Sequence, residues 1–467
     1  VSRFLGWPLA LAVTLAVAVA AVLAVVSITT ERNYGRLVAA GDTALAAADL
    51  STAIEAYTGA ITLNPDSTAA HLKRGLAYRQ RRELEAALRD LRRASELDPS
   101  APRVFEWQGD VNLDLGRFAR AAEHYAQSVR LDDRQPDVHY KLAVARYRDG
   151  SAGAAVEPLR RAIALAPDHA RAHYMLGLCL RDLVRLDEAS EALGTAARLA
   201  PGLLAVREAR ADVFQARGQT GRAVDELSAL AALEPERAER AVAVAAAYAR
   251  ASRYDAAVLA LGRAAERFPD SAVVFTALGA VWMRAAEGGD SVALDKALAA
   301  LTRAAAMSGV TGETLALLGQ ARLRAGDLAG AERDLQAAVL RVPVRPDAYR
   351  ALADVLERRN RPAEALDALA RFAALAAGTP PAGAVAPRLG DLAMRVGDPH
   401  GAAYWYERAM AELGPSASLH LKLAEADVSR GDRDHARKMV TEGLALEPGH
   451  ARLRALAKTL GRTPVPQ

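Results

Sequence analysis

Prolines recur along this chain at a fixed spacing: Pro65, Pro99, Pro167, Pro201, Pro235 and Pro269 lie 34 or 68 residues apart. A period of this length excludes a single globular core. Each unit is too short to bury an apolar face alone and must stack on its neighbours. With each proline set at position 32 of a unit beginning at Tyr34, twelve units fit once two insertions are allowed. These are Ala286–Ser291 inside the eighth unit and Pro380–Ala382 before the eleventh. Position 20 is then alanine in every unit: Ala53, Ala87, Ala121, Ala155, Ala189, Ala223, Ala257, Ala297, Ala331, Ala365, Ala402 and Ala436. Position 8 is always glycine or alanine, from Gly41, Gly75 and Gly109 to Gly390 and Ala424.

Small residues at two fixed points predict two helices that cross closely, one contact point on each. Position 24 carries the bulkier plug, as in Tyr57, Leu91, Tyr125, Leu159 and Leu193. Position 15 is Gly116, Gly150, Gly218, Gly326, Gly397 and Gly431, where a first helix is expected to end in a left-handed turn. Asp327, Asp398 and Asp432 follow at position 16, placed to cap the second helix. The proline at position 32 then ends that helix.

This pattern resembles the tetratricopeptide repeat family over residues 34–450. The resemblance implies an all-α fold: a right-handed α-solenoid of about twelve helix hairpins. Their bounds are 34–67, 68–101, 102–135, 136–169, 170–203, 204–237, 238–271, 272–311, 312–345, 346–379, 383–416 and 417–450. A capping helix over 451–460 and a tail over 461–467 complete the chain. The chain departs from the family at position 4, where the usual tryptophan is replaced by Leu37, His71, Phe105, His139 or His173. It also departs at position 32, where Asp133, Gly309, Ala377 and Gly414 stand in for proline.

Ahead of the repeats, Arg3 and Glu31 bracket 27 uncharged residues, 4–30, preceded by a short tail at 1–3. As a helix this run spans ~40 Å, more than the ~30 Å hydrocarbon layer. It reads as a single transmembrane anchor, with a cleaved signal sequence as the alternative. The default orientation for such an anchor places the solenoid outside the cytoplasm. With the Ala- and Arg-rich composition, the expectation is a bacterial inner-membrane protein with a periplasmic solenoid. A solenoid on the cytoplasmic side is the alternative.

The repeats leave no stretch for a catalytic domain, and no phosphate-cradling loop or nucleophile elbow is present. No enzyme activity, cofactor or metal is expected. His71, His139, His173 and His420 fall at position 4, where the family packs an aromatic ring, and Cys179 reads as packing. With 60 basic and 56 acidic residues, the charge is near balance and gives no nucleic-acid footprint. The expected partners are proteins or peptides, with no small-molecule substrate. In the family, positions 2, 5, 6, 9, 12 and 13 of the first helices line a concave groove. Here the second to fifth repeats supply Lys73, Arg79, Trp107, Tyr140, Lys141, Tyr147, Arg148, Tyr174 and Arg181 as candidate contacts, whereas repeats seven and eight are blander. The function expected is a membrane-anchored scaffold for an envelope machine such as polysaccharide export, a pilus or a secretion system.

Overall fold

The computed structural model describes residues 6–377, 379 and 383–461, the first eight by backbone alone. The expected tail at 1–3, the insertion at 380–382 and residues 462–467 lie outside the described residues. Among the described residues there are 25 α-helices and no strand. The chain divides into two compact units, Val1–Glu226 and Leu227–Gln467.

The first unit begins with α1 (Gly6–Ala46) and α2 (Leu50–Leu63). It continues through α3 (Thr68–Gln80), α4 (Leu84–Leu97), α5 (Pro102–Asp114), α6 (Phe118–Leu131), α7 (Pro136–Arg148) and α8 (Ala152–Leu165). Then follow α9 (Ala170–Asp182), α10 (Leu186–Leu199), α11 (Leu204–Ala216) and α12 (Thr220–Leu233), within which the division falls. The second unit holds α13 (Ala238–Arg250), α14 (Tyr254–Arg267), α15 (Ala272–Ala285), α16 (Ser291–Ala305), α17 (Gly312–Ala325) and α18 (Leu328–Val339). It ends with α19 (Pro346–Arg358), α20 (Pro362–Leu375), α21 (Ala386–Arg395), α22 (Pro399–Leu413), α23 (Ala417–Ser429), α24 (Arg433–Leu446) and α25 (Ala451–Gly461). Successive helices pack on one another from α1 to α11 and from α13 to α25. Odd-numbered helices also touch one another, as α3 touches α5, α7 touches α9 and α15 touches α17.

The steric requirement read from the sequence is met. The position-20 alanines, from Ala53 to Ala436, are wholly buried. What position 8 faces is chiefly the plug at position 24. A Cβ built on Gly109 would lie 2.6 Å from the Tyr125 ring, and one on Gly177 would lie 2.4 Å from Leu193 Cγ. The three tyrosine plugs, Tyr57, Tyr125 and Tyr406, all stand against glycine, at Gly41, Gly109 and Gly390. Alanine is found at position 8 where the plug is the slimmer leucine, as in Ala143 with Leu159 or Ala245 with Leu261.

The turns follow the same rule. The glycines at position 15 have positive φ, from 69° at Gly218 to 88° at Gly431. The same conformation is imposed on Ala48, Arg82, Val184, Ser252 and Asn360, with φ between 55° and 67°. Asp327, Asp398 and Asp432 each accept a hydrogen bond from the backbone N–H three residues on, closing the start of α18, α22 and α24. The six-residue insertion in repeat eight forms a 3₁₀ turn over Ala286–Gly288, and Asp290 caps α16.

Three of the four position-4 histidines share a defined task. Nε2 of His71, His139 and His173 lies 3.0–3.1 Å from the carbonyl oxygen six residues earlier, that of Pro65, Asp133 and Pro167. Each ring thus ties the start of one repeat to the end of the last, including where Asp133 replaces proline. His169 caps α9 through Nδ1 and packs its ring on Tyr140, with centroids 5.1 Å apart.

The sequence places a boundary between an anchor ending at residue 30 and a first repeat beginning at 34. The structure has none: α1 runs unbroken from Gly6 to Ala46, about 60 Å at 1.5 Å per residue. Residues 31–33 contain neither proline nor glycine, so nothing interrupts the backbone ladder there. The capping helix extends one residue beyond expectation, to Gly461, and buries Leu453 and Leu460.

Candidate partner-binding grooves

The first helices present positions 5, 6, 9, 12 and 13 along one face of each unit. In the first unit these positions are largely engaged with one another. The Tyr57 hydroxyl donates to Asp42 Oδ1 at 2.8 Å, and Lys73 Nζ of the next repeat donates to the same carboxylate at 2.7 Å. The arrangement recurs two repeats on, where Tyr125 donates to Asp110 at 2.7 Å and Lys141 Nζ reaches Asp110 at 3.1 Å and Glu106 at 2.7 Å. Arg79 adds a second cation to Asp110 at 2.9 Å and pairs with Asp114 at 2.7 Å. A position-9 carboxylate is therefore shared between the plug tyrosine of its own repeat and a position-6 cation of the next. These charge-assisted bonds fix the stacking register of neighbouring repeats.

The electrostatics follow this geometry. Partial burial raises the Asp42 carboxyl, but hydrogen bonds from Lys73 and Tyr57 and the Lys73 charge outweigh it, and the pKa falls below its usual value. Burial, then the Asp182 carboxylate that accepts its hydroxyl at 2.7 Å, pushes the Tyr147 phenol up to about 12. Arg181 pairs with Asp182 at 2.9 Å and with Asp212 at 3.4 Å. Arg148 lies over the Phe118 ring, 5.8 Å from its centroid. Of the nine candidate residues, Lys73, Arg79, Lys141, Tyr147 and Arg181 are thus tied to acidic neighbours. Trp107, Tyr140 and Tyr174 are half-buried.

The second unit repeats the ionic device near its end. Lys422 Nζ meets Asp391 at 2.7 Å, with the Tyr406 hydroxyl on the same carboxylate at 2.8 Å, and Arg388 meets Asp354 and Glu357 at 2.6 Å. Between α13, α15 and α17 the device is missing. Position 9 is Ala246 and Ala280, and position 6 of the following repeats is Ala277 and Leu317. In its place lie two adjoining cavities of about 330 and 200 Å³, both lined by Val242, Ala277, Ala280 and Glu313. Arg250 and Arg284 stand at the rim. Arg250 bonds only to the Ala246 carbonyl of its own helix, at 3.3 Å, and Arg284 has no ion-pair partner among the described residues. Glu313, opposite, is paired with Arg345 at 3.5 Å. The sequence called this stretch bland because its residues are small. Small residues are what leave the groove open, and the signal for it was the loss of the acid at position 9 and the cation at position 6.

Comparison with known proteins agrees with the fold. The family model described as "Tetratricopeptide repeat" matches residues 38–102, 74–137, 107–169, 140–203 and 316–380. Small glutamine-rich tetratricopeptide repeat-containing protein 2 of Mycosarcoma maydis is 32% identical over 111 residues, 24% of this chain and 32% of that protein. Type IV pilus assembly protein PilF of Pseudomonas aeruginosa is 37% identical over 76 residues, 16% of this chain and 30% of that protein. The chain thus spans a third or less of these curated relatives. Among solved structures, YrrB, described as a TPR protein with an unusual peptide-binding site, is similar at 23% identity with a TM-score of 0.37, covering 39% of this chain and 95% of YrrB. The MamA protein is similar at 22% identity with a TM-score of 0.35, covering 37% of this chain and 93% of MamA. Through these repeats the chain belongs to the tetratricopeptide repeat family.

Proposed function

We propose that this protein is a membrane-anchored scaffold that holds partner polypeptides on the first-helix face of its repeats and serves the assembly of an envelope machine. The observation that carries the reading is the open groove between α13, α15 and α17. Elsewhere on that face the strongest side chains are spent on neighbouring repeats. Here an apolar floor of Ala245, Leu261 and Val281 lies beneath small side chains, which let a partner's backbone approach closely. Arg250 and Arg284 at the rim favour a segment whose apolar side chains are followed by a carboxylate. In the first unit, Trp107, Tyr140 and Tyr174 are the proposed additional anchors. The exposed apolar surface of α1, including Leu15, Val19, Val22, Leu23 and Val26, supports a membrane tether. The stretch similar to a pilus assembly protein supports the envelope assignment.

The experiment is affinity purification of the full chain from solubilised membranes, comparing wild type with Ala246→Glu/Ala280→Glu. Both alanines line the cavity, and two acidic side chains fill it while repelling a carboxylate partner. The expected outcome is loss of specific co-purifying proteins by at least about tenfold, with helical circular dichroism unchanged. Unchanged recovery of the same proteins would remove this groove from the interaction.

A further inference from the structure

The opposite side of the first unit holds a polar cavity with a different character. It lies between repeats two and three and has a volume of about 300 Å³. Leu88 and Arg92 of α4, Gln108 and Asn112 of α5, and Arg120, Glu123 and His124 of α6 line it. Neither Arg92 nor Arg120 has a side-chain hydrogen-bond or ion-pair partner among the described residues, in a molecule whose arginines are mostly paired. Gln108 and Asn112 are 2% exposed. Gln108 donates through its amide to Leu91 O at 2.9 Å and to Ser95 Oγ at 3.1 Å, which uses both N–H groups and leaves its carbonyl oxygen as an acceptor. Asn112 donates one N–H to Gln108 O at 2.8 Å and keeps the other. With His124 neutral, Arg92, Arg120 and Glu123 leave the cavity one positive charge in excess.

We propose that this cavity binds a phosphate-class oxyanion. Arg92 and Arg120 hold its charge, Asn112 and His124 donate to its oxygens, and the Gln108 carbonyl accepts from its P–OH. Two guanidinium forks facing one space match the several oxygens of a phosphoryl group better than a single carboxylate does. The Gln108 carbonyl oxygen matches the P–OH that inorganic phosphate still carries at neutral pH. The state of His124 is consistent with this. Burial and the charges of Arg92 and Arg120 lower its imidazole pKa, against the raising pull of Glu123. A bound dianion reverses the sign of that field. The cavity has room for a phosphoryl group carried on a partner's side chain as well as for free phosphate.

The test uses the full chain in detergent micelles, with calorimetric titration at constant ionic strength. The probes are inorganic phosphate, a short phosphoserine peptide, its unphosphorylated form, and acetate. Wild type is compared with Arg92→Gln/Arg120→Gln, whose substituted residues are exposed on helix surfaces and whose melting should match wild type. In parallel, the His124 imidazole is titrated by NMR and assigned with His124→Asn. Phosphate should bind the wild type at least about tenfold more tightly than the double variant. It should also raise the His124 pKa, and sodium chloride at equal ionic strength should not. Tighter binding of the phosphopeptide than of phosphate identifies a phosphorylated partner as the source, and the reverse identifies the free anion. Equal binding by acetate, equal binding by the double variant, or an unmoved His124 pKa overturns the proposal.

Discussion

At the residue scale, the fold depends on how a plug and a small residue are matched across each hairpin. Tyr125 is wholly buried and held at both ends: its ring lies against Gly109 and its hydroxyl bonds to Asp110. A methyl group at residue 109 would therefore meet a ring that cannot retreat. Gly109→Ala should destabilise α5 and α6 by about 1–3 kcal/mol through overpacking, which exceeds the ~1 kcal/mol that alanine gains over glycine in a helix. In a Tyr125→Leu background the pairing becomes the Ala–Leu combination already present at Ala143 and Leu159. There the sign should reverse, and Gly109→Ala should stabilise. Native-state hydrogen exchange at α5 and α6 amides measures both arms of the cycle. Equal effects in the two backgrounds would show that the close approach is not what excludes a Cβ. Much of this was legible in the sequence, because glycine and alanine repeated on a strict period. The partners of Lys73 and Lys141 were not. Each cation meets a carboxylate 31 residues earlier, a relation that no local spacing displays and that exists only after the repeats have stacked.

At the scale of the element, α8 contains its own defect and its repair. Pro158 lies inside the helix, where it lacks the N–H that would bond to the carbonyl of Ala154. The Arg146 guanidinium of α7 donates to that same oxygen at 2.8 Å. Arg146→Gln should thus cost about 1 kcal/mol in the wild type, the net worth of a hydrogen bond of this kind. In a Pro158→Ala background the restored N–H occupies the oxygen, and the cost of Arg146→Gln should fall to a few tenths. Hydrogen exchange at α7 and α8 amides in the four proteins tests this, and additive effects would separate the two residues. Arg146 had no assigned role in the sequence, since a proline's missing bond is visible there but the side chain that replaces it is not. The turns show the same limit. Glycine at position 15 announced the left-handed ends of α5, α7 and α11, whereas Val184 adopts φ of 59° with no local signal. The crossing of α9 and α10 imposes that conformation on whatever residue stands there.

At the scale of the molecule, the continuity of α1 joins the apolar N-terminal segment to the first repeat. In the sequence, the charged residues that bracket the uncharged run 4–30 and the repeat register that begins at Tyr34 separate the two segments. The helix continues across that boundary because neither proline nor glycine interrupts the backbone ladder at residues 31–33. For the proposed tether, the side on which the repeats stand would follow from how α1 inserts, and Arg3, Arg32 and Arg36 bias it weakly. Thr441, exposed on α24, provides a reporter in the second unit. Cys179 will not compete with it. It is wholly buried, and burial followed by the Asp182 charge pushes its thiol up to about 12, so the reactive thiolate is scarce at neutral pH. A Thr441→Cys chain, with Cys179→Ala as a precaution, should react with a membrane-impermeant maleimide once the outer membrane is opened and the inner membrane is intact. Labelling that appears only after the inner membrane is lysed would place the repeats in the cytoplasm. The partners would then have to be sought among membrane enzymes and regulators on that side.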